Sequence, residues 1–143
     1  MKTVLFICTH NSARSQIAEG LVRALKGNYY EAYSAGSYPS GVHPCAIQVM
    51  REIDIDISSQ CSKSLDEFRE KKFDYVITLC DNSRESCPFF PHAYNILHKG
   101  FSDPAQHQGT AEETLLAFRQ IRDEIALWIQ QAFQPDGIKI NER

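Results

Sequence analysis

Apolar and polar positions change period several times along this chain, and each change marks an element. Thr3-Val4-Leu5-Phe6-Ile7 is a short unbroken apolar run rich in β-branched residues, the pattern of a strand buried on both faces. From Ser15 the period lengthens to that of a helix, with Ile17, Ala18, Leu21 and Leu25 on one stripe and Gly27 as its stop. Tyr30 to Ala35 predicts a second strand, closed by Gly36 and the turn residues Pro39-Ser40-Gly41. Pro44 suits the first position of a helix carrying Ile47, Met50 and Ile53, and Leu65 with Phe68 predicts another short helix. Asp74 to Leu79 predicts a third buried strand and Tyr94 to Leu97 a last one. From Glu112 to Phe133 a long helix is expected, with Phe118, Ile121, Ile125, Trp128 and Ala132 at helical spacing as its core stripe.

Strands alternating with helices imply an α/β fold, a single-domain four-stranded parallel sheet flanked by helices on both faces. The domain is expected to span residues 1–134, followed by a polar, loosely held tail at 135–143. Ligands of such sheets bind at the carboxyl ends of strands, so chemistry is expected just after Ile7 and Leu79. A length of 143 residues suits one domain, and 43% hydrophobic with 23% charged residues argues against disorder. A net charge of −3 offers no basic excess for a phosphate backbone, so no nucleic-acid partner is expected. No apolar run approaches the roughly 20 residues of a membrane span. The opening Met1 to Ile7 is too short for a secretion signal and runs into polar Thr9-His10-Asn11-Ser12. Five scattered cysteines in a chain able to build a core suit a reducing compartment, which predicts a cytoplasmic protein.

Directly after the first strand comes Cys8-Thr9-His10-Asn11-Ser12-Ala13-Arg14-Ser15, small or polar residues leading into a helix. A strand-to-helix turn of this kind points successive backbone N–H groups at one spot, an anion nest backed by a helix dipole. Cys8 at that nest becomes a candidate nucleophile, its thiolate stabilised by the loop and by the Ser15 hydroxyl. Arg14 in the first helical turn opposes the dipole unless an anion sits between them, and its planar fork suits a tetrahedral oxyanion. The plainer reading makes Cys8 a buried strand-end residue and Arg14 a surface charge. Cys45 to Arg51 has the same spacing, but its intervening residues are bulky and helical, so their N–H groups are consumed by the helix.

Val4-Leu5-Phe6-Ile7-Cys8 followed by Asn11, Arg14, Ser15, Ala18 and Glu19 resembles the low-molecular-weight protein tyrosine phosphatases, and within that fold the thioredoxin-coupled arsenate reductases. Ser34-Ala35-Gly36, Gly41-Val42-His43-Pro44, Asp54 to Ser58, Thr78-Leu79-Cys80 and Asp103-Pro104 extend the resemblance over nearly the whole chain. The loop marks the fold without separating phosphatase from reductase.

Cys80 ends the third buried strand at the same sheet edge as Cys8, and Cys87 follows across a polar loop. Three thiols near one anion site suggest a relay, and the resemblance implies the same. Cys8 attacks the oxyanion, Cys80 attacks the adduct, and Cys87 resolves the Cys8–Cys80 disulfide. Two other readings stand beside it. The later cysteines are unrelated buried thiols, or Cys80, Cys87, His92 and His98 form a zinc site, whose cysteines here are set wider than the usual two to four residues. No metal is expected.

In the resembled fold an Asp-Pro loop supplies the general acid, which assigns that role to Asp103; a turn-initiating aspartate is the plainer alternative. Ala105-Gln106-His107 follow where phosphatases of this fold often carry aromatic residues, which favours a small inorganic substrate. Some thioredoxin-coupled members hold potassium near the loop through residues like Asn11, Glu19 and Ser34 plus an aspartate. The aspartate's place holds Lys63 here, either replacing the ion or as a solvated lysine. Cys45 and Cys61 read as buried or incidental thiols, His43 as a turn or cap residue, and His10 as a loop residue that is structural or tunes Cys8.

The resemblance thus implies reduction of arsenate to arsenite by Cys8, Cys80 and Cys87, with Arg14 binding the oxyanion. No bound cofactor is implied, and reduced thioredoxin is the electron donor, with glutaredoxin or glutathione as alternatives. A phosphatase using Cys8, Arg14 and Asp103 is the alternative enzyme, and an oxyanion- or redox-sensing module the non-enzymatic one. A monomer is expected.

Overall fold

The apolar run near the amino terminus forms β1 (Lys2–Ile7), whose Val4, Leu5, Phe6 and Ile7 are fully buried because helices and loops cover the sheet on both sides. In the computed structural model, residues 1–81 and 90–139 are described. The elements after β1 are α1 (Arg14–Lys26), β2 (Tyr30–Ala35), α2 (Pro44–Arg51), β3 (Phe73–Thr78), β4 (Ala93–His98) and α3 (Ala111–Ala132). Short 3-10 turns form at Leu65–Phe68 and Pro104–Gln106. The four strands pair in parallel in the order β2-β1-β3-β4. Ile7 lies in register with Ala35 on one side and Thr78 on the other, so the carboxyl ends of three strands reach one edge together.

Alternation along β1 divides the core. Val4 and Phe6 face Ile17 and Leu21 of α1, Val49 and Met50 of α2, and Phe118 and Ile125 of α3. Leu5 and Ile7 face the other side, under Leu65, Phe73 and Phe90. Among the described residues, the three α-helices therefore share one face, and the turn at Leu65–Phe68 supplies helical cover on the other. β4 is the exposed edge strand, with Tyr94 and Ile96 largely in solvent.

Two expected stripe residues lie outside the core. Leu25 is exposed on the last turn of α1, where Val22 is buried instead, and Ile53 follows the end of α2. The α2 stripe is Ala46, Val49 and Met50. Residues 135–139, the described part of the expected tail, are tied back to the domain. Phe133–Gln134 (β5) and Gly137–Ile138 (β6) form a small antiparallel hairpin. Tyr30 donates its hydroxyl to the Gln134 carbonyl at 2.6 Å, and the Ile138 amide donates to Tyr75 Oη at 3.2 Å. Burial pushes the Tyr30 hydroxyl pKa up to about 12.

Helix α2 is fastened to α3 at its C-terminal end. Arg122 donates to the Val49 carbonyl at 2.9 Å and to Glu52 at 2.8 Å, while Arg119 grips Glu52 through both carboxylate oxygens. These hydrogen bonds hold the Glu52 carboxyl below its ordinary pKa. Cations are favoured where helix carbonyls are left over, which is where these guanidinium groups sit. This matters for the site because α2 begins at its rim.

Candidate active site

The loop between β1 and α1 is shaped from outside. Its carbonyl groups accept hydrogen bonds from the following segment: Tyr38 N donates to Thr9 O at 2.9 Å, Ser40 N to His10 O at 3.1 Å, and His43 N to Ser12 O at 3.0 Å. With these carbonyls turned outward, the loop's amide groups face the opposite way. Gly36 permits the close approach. A Cβ there would meet Thr9 O at 2.6 Å, Cys8 O at 2.7 Å and Asn11 N at 2.8 Å. Asn11 takes a positive φ of 46°, the right-to-left alternation that builds an anion nest.

The buried Asn11 amide fixes this turn. Its Oδ1 accepts from Gln16 Nε2 at 2.9 Å and from the Lys63 amide at 2.7 Å, so its Nδ2 is the donor to Ser15 Oγ at 2.8 Å. Ser15 Oγ accepts there, and its own proton is free to point at Cys8 Sγ, also 2.8 Å away. Cys8 is a buried free thiol at the floor of the loop.

Helix α1 starts without a side-chain cap, and its first turn carries no acidic residue. The contrast with α3 is instructive, because there Thr110 and Glu113 form a reciprocal capping box. At α1 the leading amide groups are left to serve the nest. Arg14 occupies the first helical position and is only 2% exposed. Its Nη1 donates to the Phe101 carbonyl at 3.1 Å, and its Nη2 lies 3.5 Å from Asp103 Oδ2. The other Asp103 oxygen accepts the Ala105 amide at 3.0 Å, capping the 3-10 turn. Asp103 thus serves as a turn initiator and faces the anion loop at once. Cys8, Arg14, Asp103, Ala105, Gln106 and His43 border one cavity of about 120 Å³. A larger open cleft of about 1000 Å³ runs alongside and shares His10, Asp103 and Gln106; it contains neither Cys8 nor Arg14, so the smaller space is the one that brings the candidate nucleophile and the arginine together.

Residues 3–134 match the sequence profile of the low molecular weight phosphotyrosine protein phosphatases. The chain belongs to that family. A protein of Oceanobacillus iheyensis named arsenate reductase is 45% identical over 124 residues, covering 87% of this chain and 89% of the relative. Among solved structures, one described as an arsenate reductase in the phosphate binding state superposes with a TM-score of 0.78 at 33% identity, over 92% of this chain and 95% of that one. A thioredoxin-dependent arsenate reductase of Corynebacterium glutamicum gives 0.62 at 30% identity, over 92% of this chain and 63% of that one.

In this member of the phosphatase family, Cys80 leaves the sheet beside the anion loop. Leu79 N donates to Ile7 O at 2.8 Å, which ties the end of β3 to the residue before Cys8. Cys80 is fully buried and disulfide-bonded, whereas Cys8, Cys45 and Cys61 are free thiols. Cys87 lies outside the described residues. Cys45 is half-buried in the first turn of α2, and Cys61 is exposed rather than buried. The exposed His10 ring lies at the rim, 3.1 Å from the Tyr38 carbonyl. No cluster suited to a metal ion occurs among the described residues.

Behind the loop, Glu19 is buried and accepts from Ser34 Oγ at 2.5 Å and from Arg23. Lys63 Nζ stands 3.7 Å from the same Glu19 oxygen and donates to the Cys61 carbonyl at 2.6 Å. Gln16, which donates to Asn11, and Gln60, which donates to Gln16 Oε1 at 2.8 Å, were not foreseen as supporting residues. Gly36 carried a usable signal, a glycine directly after a buried strand at the ligand edge. The glutamines carried none.

Proposed function

We propose that this protein reduces arsenate to arsenite through a cysteine relay. The observation that carries the reading is the free Cys8 thiol in one small cavity with Arg14 and Asp103, backed by Ser15. A 45% identical relative named arsenate reductase supports the choice of oxyanion. No Phe, Tyr or Trp is among the described residues bordering the cavity, which suits a small inorganic substrate better than an aryl phosphate.

The loop amides and Arg14 bind arsenate, and the Cys8 thiolate attacks arsenic. A hydroxide leaves, and the Asp103 proton makes it water, because hydroxide is a poor leaving group. Cys80 then attacks Cys8 Sγ. The sulfur–arsenic bond breaks with its electron pair remaining on arsenic, arsenite departs, and a Cys8–Cys80 disulfide remains. Cys87 attacks Cys80, releasing Cys8 as a thiolate and leaving a Cys80–Cys87 disulfide. A dithiol protein, thioredoxin, reduces that bond and supplies the two electrons. A free Cys8 beside a disulfide-bonded Cys80 fits the end of this sequence.

Lys63 serves as the resident cation behind the loop. Glu19 already faces Ser34, Arg23 and Lys63, and Asn11 Oδ1 already accepts two hydrogen bonds, so these residues do not fit a potassium ion. The free thiols suit a reducing cytoplasm, and no helix among the described residues is long and apolar enough to cross a membrane.

The test supplies purified protein with arsenate, thioredoxin, thioredoxin reductase and NADPH, and measures arsenite. Sustained turnover is expected. Its absence, with glutaredoxin and glutathione also failing, overturns the reading and leaves the family's phosphatase chemistry. Replacing Cys80 separates the two activities, since it abolishes arsenate reduction and spares phosphoester hydrolysis.

A further inference from the structure

His43 has a second duty that its place in the sequence conceals. As the N-cap of α2 it accepts the Cys45 amide on Nδ1 at 3.0 Å, and its own amide donates to the Ser12 carbonyl of the anion loop. The ring rests against Phe118 of α3, with centroids 4.7 Å apart and planes 36° apart. It nevertheless borders the cavity that holds Cys8, Arg14 and Asp103.

A ring nitrogen that accepts a hydrogen bond carries no proton, so the neutral imidazole holds its proton on Nε2. Nδ1 is committed to the helix and one ring face to Phe118. The Nε2 edge is the part left for the cavity. Among the described residues bordering that space, Asp103 is the one carboxylate. Its Oδ1 is held by the Ala105 amide, while its Oδ2 stands 3.5 Å from Arg14, too far for a well-formed hydrogen bond, so that oxygen has room for a further donor.

We propose that His43 is a positioning residue for Asp103, its neutral Nε2–H holding the carboxyl so that the acidic proton faces the departing oxygen. This rests on the role given to Asp103 above. Among the described residues, the ionisable groups that border the cavity with His43 are Cys8 and His10 of the loop, Arg14 of α1 and Asp103, while α3 presents the apolar Phe118. Burial holds the imidazole below its ordinary pKa, and the Asp103 charge opposes that effect only in part. Protonation would withdraw the α2 cap and set a cation at the positive end of that helix. It would also hold Asp103 as a carboxylate, unable to give a proton. Activity should therefore fall on the acid side as His43 becomes charged.

His43→Asn tests this, because asparagine is a good N-cap but neither titrates nor reaches as far. The expected result is a kcat for arsenate reduction lowered about tenfold, with KM changed less than about twofold. The acid-side ionisation of the wild-type profile should vanish, while the thermal midpoint is kept. In an Asp103→Asn background the same replacement should cost nothing further. A wild-type kcat and acid limb in H43N, or a full additional loss in the double variant, overturns the proposal. If H43N proves unstable, His43→Ser supplies the cap instead. Should the wild type reduce no arsenate, the functional reading has failed. The same cycle on p-nitrophenyl phosphate hydrolysis then decides the role of His43, since that reaction also needs the acid.

Discussion

Ser15 has one hydroxyl proton to give, and Asn11 leaves it available to Cys8. Because the Asn11 Oδ1 is occupied by two donors, its Nδ2 donates to Ser15 Oγ, and the Ser15 proton can then be given to a Cys8 thiolate. Hydrogen bonds to charged groups contribute about 1.5–3 kcal/mol, so Ser15→Ala should slow attack by Cys8 about tenfold to a hundredfold. The rate of Cys8 carboxymethylation, read by mass spectrometry of the loop peptide, measures this directly. An unchanged rate would show that the hydroxyl only fills space. Cys8, Arg14 and Asp103 were each legible as residues in a patterned loop or dipeptide. The orientation of Asn11 was not, since it depends on the Lys63 amide, 52 positions away. His43 illustrates the same limit: the cap is local and readable, but its partners Phe118 and Asp103 arrive from later segments.

At the scale of elements, the anion loop owes its shape to the chain that follows β2. Gly36 sits where any side chain would press on three backbone atoms of the loop, and backbone yields less readily than a side chain. Gly36→Ala should displace the cradle and cost roughly 1–3 kcal/mol of stability. Phosphate binding, followed by calorimetry, should weaken far more than the fold does; undiminished affinity would mean the loop relaxes without loss. The buried strands were readable because an unbroken apolar run bounded by turn residues has few other uses. Leu25 and Ile53 fit the helical period yet lie outside the core, because each sits at an element end where no neighbour covers it. The β5–β6 hairpin was not readable, since two-residue strands carry no period and its anchors are the distant Tyr30 and Tyr75.

For the molecule as a whole, the charges behind the loop bear on stability. Glu19 is nearly buried, and Ser34, Arg23 and Lys63 compensate its carboxylate for the lost water. In the role proposed for Lys63, its ammonium takes the place of an added ion. Potassium chloride should therefore move the melting temperature by no more than about 1 °C relative to sodium chloride at equal ionic strength, and leave turnover unchanged. Lys63→Ala should lower the midpoint by several degrees and bring a potassium response with it. A marked potassium effect on the wild type would remove Lys63 from this role. The lysine also marks a boundary in accessibility, because the neighbouring Cys61 thiol is exposed while Cys8 and Cys80 are buried. Among the described free thiols, a thiol-reactive dye will label Cys61 first. Bulk thiol counting would thus report the wrong cysteine, and studies of Cys8 need a Cys61→Ser background. The same exposure makes Cys61 a natural anchor for a fluorophore: its carbonyl is held by Gln16 and Lys63, so a probe there would sense the back of the anion loop while leaving its mouth clear.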